Sequence, residues 1–148
     1  MRIGIDLGGT NVRMGVVGNN QILQKIAEPC KSDRPEHEVI EQLIEMLRKI
    51  VTPDIKSIGI GVPSVVDAEK GVVYNVMNIP SWKEVHLKEI LEKEFKIPVS
   101  VNNDCNCFAL GEFYFGEGKN YKDLVCVALG TGVGSGIMID GKLYNGGN

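Results

Sequence analysis

Gly4-Ile5-Asp6-Leu7-Gly8-Gly9-Thr10-Asn11-Val12-Arg13 decides how this chain is read. Ile3, Ile5 and Leu7 form the apolar run of a buried strand, two glycines and a threonine make a turn, and Val12 to Val17 forms a returning strand. Without a Cβ, Gly8 and Gly9 can take positive φ and bring successive N–H groups toward an anion, while Thr10 adds a hydroxyl donor. Such a turn suits phosphate. Asp6 stands at the carboxyl end of the incoming strand, where a carboxylate repels phosphate unless a cation lies between them, so its position implies Mg²⁺. A plain β-hairpin with a Gly-Gly turn and a solvated Asp accounts for the same residues equally well.

A second stretch, Leu124 to Ile139, repeats the arrangement with Gly130-Thr131-Gly132 at its turn. Two such hairpins far apart in one chain suggest a duplicated fold that clamps phosphates from both sides. Between them lie Asn78-Ile79-Pro80-Ser81-Trp82 and Asn103-Asp104. The four motifs follow the order found in ROK sugar kinases, the bacterial glucokinase-like branch of the actin-like ATPase superfamily, and the chain resembles that family over its whole length.

The resemblance implies an α/β fold of the ribonuclease H-like, actin-like type: a mixed sheet flanked by helices, followed by the first β-hairpin of a second lobe. ROK kinases are about twice as long, which makes this chain an amino-terminal half. The implied activity is ATP-dependent phosphorylation of a hexose hydroxyl, glucose at its 6-position being the first candidate. By the same resemblance Asp6 holds Mg²⁺ through water, and Gly8, Gly9, Thr10 and Asn11 hold one side of the ATP phosphates. Gly130, Thr131 and Gly132 hold the other side. Ser64, Asn78 and Asn103 contact the sugar, and Asp104 orients its hydroxyl and takes the proton as it attacks the γ-phosphate. The family usually has Gly where this chain has Ser64. A homo-oligomer is also implied.

Composition narrows the field independently. The chain has 148 residues, 43% of them hydrophobic and 24% charged, enough for one domain with a real core. A net charge of −3 with no basic stretch argues against nucleic acid and against an anionic membrane surface. Phosphate affinity is therefore expected from backbone N–H groups and a metal. The first apolar run is broken by Asp6, so nothing reads as a signal peptide, and no stretch reaches a membrane span. The four cysteines are expected as reduced thiols in a cytoplasmic protein.

The rest of the chain supplies the frame. Gln21 to Glu28 reads as a third strand of a meander. Val39, Ile40, Leu43, Ile44, Leu47 and Ile50 fall at helical spacing, with Ser32 or Asp33 as cap and Pro35 in the first turn. Ser57 to Val62 is an apolar strand interrupted by Gly59 and Gly61, which marks either a close ligand or a helix packed on the strand. Val72 to Val76 is another strand. The loop Asn78 to Trp82 pairs an amide with an indole, groups that suit a sugar, although Trp82 reads better as packing. Val85 to Phe95 forms a second helix. Asn102-Asn103-Asp104 leads from a strand into a third helix, and three polar residues exceed what capping requires. Cys105 and Cys107 read as small packing residues. Gly116 to Asn120 is a flexible linker, dividing a lobe at 1–118 from a hairpin unit at 119–148.

Two other functional classes compete. A sugar-responsive transcriptional regulator of the ROK family needs a helix-turn-helix ahead of the first hairpin, where five residues precede Asp6. A filament or chaperone ATPase of the wider superfamily shares the hairpins but has no use for a sugar loop.

Overall fold

The computed structural model describes residues 1–130 and 132–146. Of the expected phosphate residues, Thr131 lies outside the described residues. The main sheet has five strands, β1 (Arg2–Leu7), β2 (Asn11–Gly18), β3 (Gln21–Pro29), β4 (Ser57–Val62) and β8 (Val99–Asn103), in the order β3-β2-β1-β4-β8. β1 is antiparallel to β2 and parallel to β4, so the sheet is mixed. Helix α1 (Glu36–Arg48) follows β3, and α2 (Leu87–Phe95) and α3 (Asp104–Phe115) flank β8. Three short strands, β5 (Val65–Asp67), β6 (Val72–Tyr74) and β7 (Glu84–Val85), make a small antiparallel sheet, and β9 (Leu124–Leu129), β10 (Val133–Ile139) and β11 (Lys142–Tyr144) make another.

Strict alternation divides the main sheet into two different faces. Ile3, Ile5, Leu7, Val12, Met14, Ile58, Ile60 and Val101 are buried in one cluster with Val39, Leu43, Met46 and Leu47 of α1 and Leu87 and Leu91 of α2. On the other face the register sets Gly15, Gly4, Gly59 and Ser100 in one row across four strands. The next row is Arg13, Asp6, Gly61 and Asn102. A Cβ at Gly59 would meet nothing within 4 Å, whereas one at Gly61 would lie 3.4 Å from the Asp104 Cα and 3.5 Å from the Cys107 Sγ. Of the two readings of this glycine strand, helix packing holds at Gly61 and an open face at Gly59.

Helix α3 is seated from its other side by β10. A Cβ at Gly134 would fall 2.4 Å from the Cys105 Sγ, and one at Gly136 would fall 2.3 Å from the Cys105 carbonyl oxygen and 2.6 Å from the Ala109 Cβ. Glycine at both positions is what lets the second hairpin press against α3, and Cys105 and Cys107 are packing residues as expected.

Several local expectations need correction. Neither Ser32 nor Asp33 caps α1; Pro35 is the N-cap, and its carbonyl accepts from the Glu38 and Val39 amides. The second helix starts at Leu87, because Glu84–Val85 pairs with β6 instead. Gly116 to Asn120, expected as a flexible linker, contains a 3₁₀ turn at Glu117–Asn120, with Gly118 buried so closely that a Cβ would meet Leu124 at 2.7 Å. Among the described residues no helix is long and apolar enough to cross a membrane.

Candidate functional site

The β1–β2 turn is tightened from inside. The Gly8 amide donates to the Asn11 carbonyl at 2.9 Å, and the Thr10 carbonyl accepts from the Cys30 amide at 2.9 Å. Neither Gly8 nor Gly9 takes positive φ, contrary to expectation. Space requires glycine at position 9, where a Cβ would lie 2.3 Å from the Asn78 Cβ; at Gly8 a Cβ would make a tight 3.1 Å contact with the Asn11 carbonyl oxygen. With the Gly8 N–H spent inside the turn, the amides of Gly9 and Thr10 have no partner among the described residues and are the ones an anion can use. In the second turn the Gly130 amide donates to the Gly132 carbonyl at 2.9 Å, and Cβ atoms at Gly130 and Gly132 would meet nothing within 4 Å.

Asn78 faces solvent on a loop fixed from behind. Val76 N–H donates to the Trp82 carbonyl at 3.0 Å, Trp82 N–H donates to the Ile79 carbonyl at 2.9 Å, and the Trp82 and Ile79 side chains are fully buried. Trp82 is packing, as its indole position suggested, and its buried Nε1 is one of two buried side-chain polar atoms without a partner among the described residues.

The strand-to-helix junction divides its labour. Asn103 is the N-cap of α3, its Oδ1 accepting from the Cys105 amide at 2.9 Å and from the Asn106 amide at 3.3 Å. Its Nδ2 donates to the Ser64 carbonyl at 3.2 Å, tying α3 to the β4–β5 turn. Asp104 is therefore relieved of capping, although its Oδ1 still accepts from the Cys105 amide at 2.8 Å. The Ser64 hydroxyl donates to the Tyr74 carbonyl, so as a sugar contact it retains only its lone pairs. Beside Asp104, Asn102 Nδ2 donates to Asn145 Oδ1 at 3.1 Å and Asn106 Nδ2 donates to Asn102 Oδ1 at 3.0 Å.

These pieces enclose one cleft of about 990 Å³. Its lining includes Gly8, Gly9, Thr10 and Asn11 of the first turn, Gly130 and Gly132 of the second, and Ser64, Asn78, Asn103 and Asp104. Asp6 belongs to the adjoining groove on the glycine face of the sheet, and Arg13 lines both spaces. Arg13 Nη1 donates to Asp6 Oδ2 at 3.1 Å. Sequence reasoning missed this residue, although a hairpin closed between Leu7 and Val12 sets Asp6 opposite Arg13 by register alone.

The Cys107 thiol reports on the charge nearby. Burial pushes its pKa up to about 11, and the Asp104 and then the Asp6 carboxylate add to the effect. Asp6 stands opposite Gly61 in the sheet register, and a Cβ at Gly61 would lie 3.4 Å from the Asp104 Cα and 3.5 Å from the Cys107 Sγ, so both acidic residues border the same glycine. Among the described residues no three His, Cys, Asp or Glu side chains cluster as a self-sufficient metal cage. That donor set fits Mg²⁺, which is commonly held by one or two carboxylates together with substrate phosphates, and does not fit a closed structural metal site.

A mixed sheet with flanking helices and a cleft between two glycine-turn hairpins defines an α/β protein of the actin-like ATPase architecture. The chain belongs to the ROK family, whose model matches residues 2–148. It is 38% identical to the glucokinase of Streptomyces coelicolor over 149 aligned residues, covering 99% of this chain and 46% of that one. It superposes with a TM-score of 0.88 on a ROK family glucokinase from Streptomyces griseus solved in complex with glucose and AMPPNP, at 33% identity, covering 98% of this chain and 46% of that one. It is also 35% identical to a xylose repressor of Caldicellulosiruptor bescii, covering 97% of this chain and 38% of that one. The chain spans about half the length of the relatives it matches.

Proposed function

We propose that this chain is the amino-terminal part of a sugar kinase that transfers the γ-phosphoryl group of ATP to a hexose hydroxyl, glucose at the 6-position first. In this reading residues 1–118 form one lobe and residues 119–148 open the second. The observation that carries it is that Asp104, Asn78 and residues of both glycine turns line one cleft.

Gly9 and Thr10 amides bind the phosphates on one side and the Gly130–Gly132 turn on the other. Asn78 orients the sugar, with the remaining amide hydrogen of Asn103 as a second contact. The Asp104 carboxylate accepts the proton of the attacking hydroxyl, and because Asn103 carries the helix cap, that transfer need not unwind α3. Asp6 would hold Mg²⁺ through water, and the ion would supply charge neutralisation at the transferring phosphoryl group. Glucose and AMPPNP in the Streptomyces griseus relative support this choice of ligands.

Coupled measurement of ADP release by the full-length protein, with Mg-ATP and a panel of glucose, mannose, fructose and N-acetylated sugars, tests the reading. Turnover on none of them overturns it. The similarity to a xylose repressor favours one second reading, a sugar-responsive regulator. That protein would bind sugar without turnover.

A further inference from the structure

The cleft has a charge problem that the two glycine turns do not solve. A nucleoside triphosphate brings several negative charges, and the site meets it with the carboxylates of Asp104 and, just outside, Asp6. Among the described residues that line the cleft, Arg13 is the one cation. Its place is set by the sheet: Arg13 stands directly opposite Asp6, and on the other side of Asp6 the register offers Gly61, which has no side chain. Arg13 is thus the one residue beside Asp6 in that row that can partner its carboxylate.

The pair is not built as a brace. Its side chains are 65% and 55% exposed, and the preceding row is glycine on β1, β2 and β4, so no packed neighbour holds the guanidinium. An ion pair this open is weakly held and exchanges partners readily. A guanidinium offers a planar fork of donors that fits phosphate oxygens.

We propose that Arg13 is a nucleotide-binding residue of this site: it rests on Asp6 in the free protein and donates to the phosphate oxygens of a nucleoside triphosphate when that ligand enters. This rests on the kinase reading above, and it adds a side-chain cation to a site otherwise built from backbone amides and a metal. The exchange also frees the Asp6 carboxylate for the ion that accompanies the nucleotide.

Calorimetric titration of the full-length protein with AMPPNP, with and without Mg²⁺, and separately with glucose, tests the assignment in the wild type and in Arg13→Gln, Arg13→Lys and Asp6→Asn. Arg13→Gln is expected to raise the nucleotide Kd about tenfold or more, the scale of a lost charge-assisted hydrogen bond. Arg13→Lys falls between, having the charge without the fork. Glucose affinity and the unfolding temperature stay at wild-type values in both. Asp6→Asn loses the Mg²⁺ dependence of nucleotide binding, which Arg13→Gln keeps. A nucleotide Kd within about twofold of wild type in Arg13→Gln overturns the assignment. So does a joint loss of sugar affinity, nucleotide affinity and thermal stability, which marks the pair as a hairpin brace. A wild-type protein that binds glucose but no nucleotide removes the kinase reading and this assignment with it.

Discussion

Gly9 in the first phosphate turn lies directly against Asn78 in the sugar loop: a Cβ at Gly9 would sit 2.3 Å from the Asn78 Cβ and 3.1 Å from its Cγ. The expected nucleotide and sugar regions are therefore in contact at one point, without an intervening side chain. Gly9→Ala cannot be absorbed by flexing a distal group, because the nearest atom is a Cβ fixed to the backbone of the Trp82-anchored loop. We expect it to weaken glucose and nucleotide binding together, at an overpacking cost of about 1–3 kcal/mol. Asn78→Gly in the same chain should return part of the nucleotide affinity. Binding measured across that double-mutant cycle should show coupling of about 0.5–3 kcal/mol. Strict additivity would mean that the contact transmits nothing.

This contact shows where sequence reading stops. The hairpins were legible because glycine turns flanked by alternating apolar residues admit few other structures, and the α3 junction was legible because Asn102, Asn103 and Asp104 exceed one cap's needs. Glycine's purpose at position 9 was misread as torsional, since a close approach between residues 69 apart leaves no local mark. The same holds for Gly134 and Gly136, which seat α3. Arg13 was passed over because a charge on a strand reads as a solvated face until the register is counted. Strands β5 and β7, at three and two residues, are too short to show a period.

Asp104→Asn separates catalysis from folding. The amide can still accept from the Cys105 amide through its oxygen, and Asn103 keeps the cap, so α3 should start where it does now. A general base typically contributes on the order of 10²–10⁴ in rate. We expect kcat of the full-length protein to fall by that factor while glucose affinity survives. Retention of more than about a tenth of kcat would take Asp104 out of the proton-accepting role.

Asn103 makes the complementary case. Asn103→Ala removes the acceptor for two helix amides and the donor to the Ser64 carbonyl, and losing such a cap costs about 0.5–2 kcal/mol. Asn103→Asp restores the acceptor but not the donor. Urea unfolding should rank wild type above Asn103→Asp above Asn103→Ala, and equal stability of the two variants would show that the tie to Ser64 contributes nothing.

The thiols give a pH test of the site's packing. Burial, with Asp104 and Asp6 adding, raises the Cys107 pKa to about 11, so its neutral form persists well above neutrality and the nucleophilic thiolate is scarce. Iodoacetamide labelling followed by mass spectrometry at pH 8 should modify Cys107 slowly, its rate climbing only as the pH approaches that value. Cys105, whose pKa is also raised, by burial first and then by Asp104, should react sooner. Labelling of Cys107 as fast as of Cys105 would mean that α3 does not stay seated on Gly61.

Residues 1–148 alone should fold yet turn over no sugar. The main sheet has a buried cluster covered by α1 and α2, which is the requirement for an independent core. The β9–β10 sheet is covered by α3 on one side only. On its other side Val125, Val127, Leu129, Val133 and Ile139 are exposed, Leu129 and Val133 at 79% each. A bare apolar strand pair of this kind recruits a partner. We expect the isolated chain to self-associate in sedimentation velocity, and Val127→Lys with Leu129→Lys to shift it to monomer without moving its unfolding temperature by more than a few degrees. Kinase activity should be absent from both forms, since the proposed mechanism needs the rest of the second lobe to close on the nucleotide. A wild-type chain that stays monomeric at high concentration would show that this face needs no cover, and turnover near that of the full-length protein would overturn the two-lobe reading.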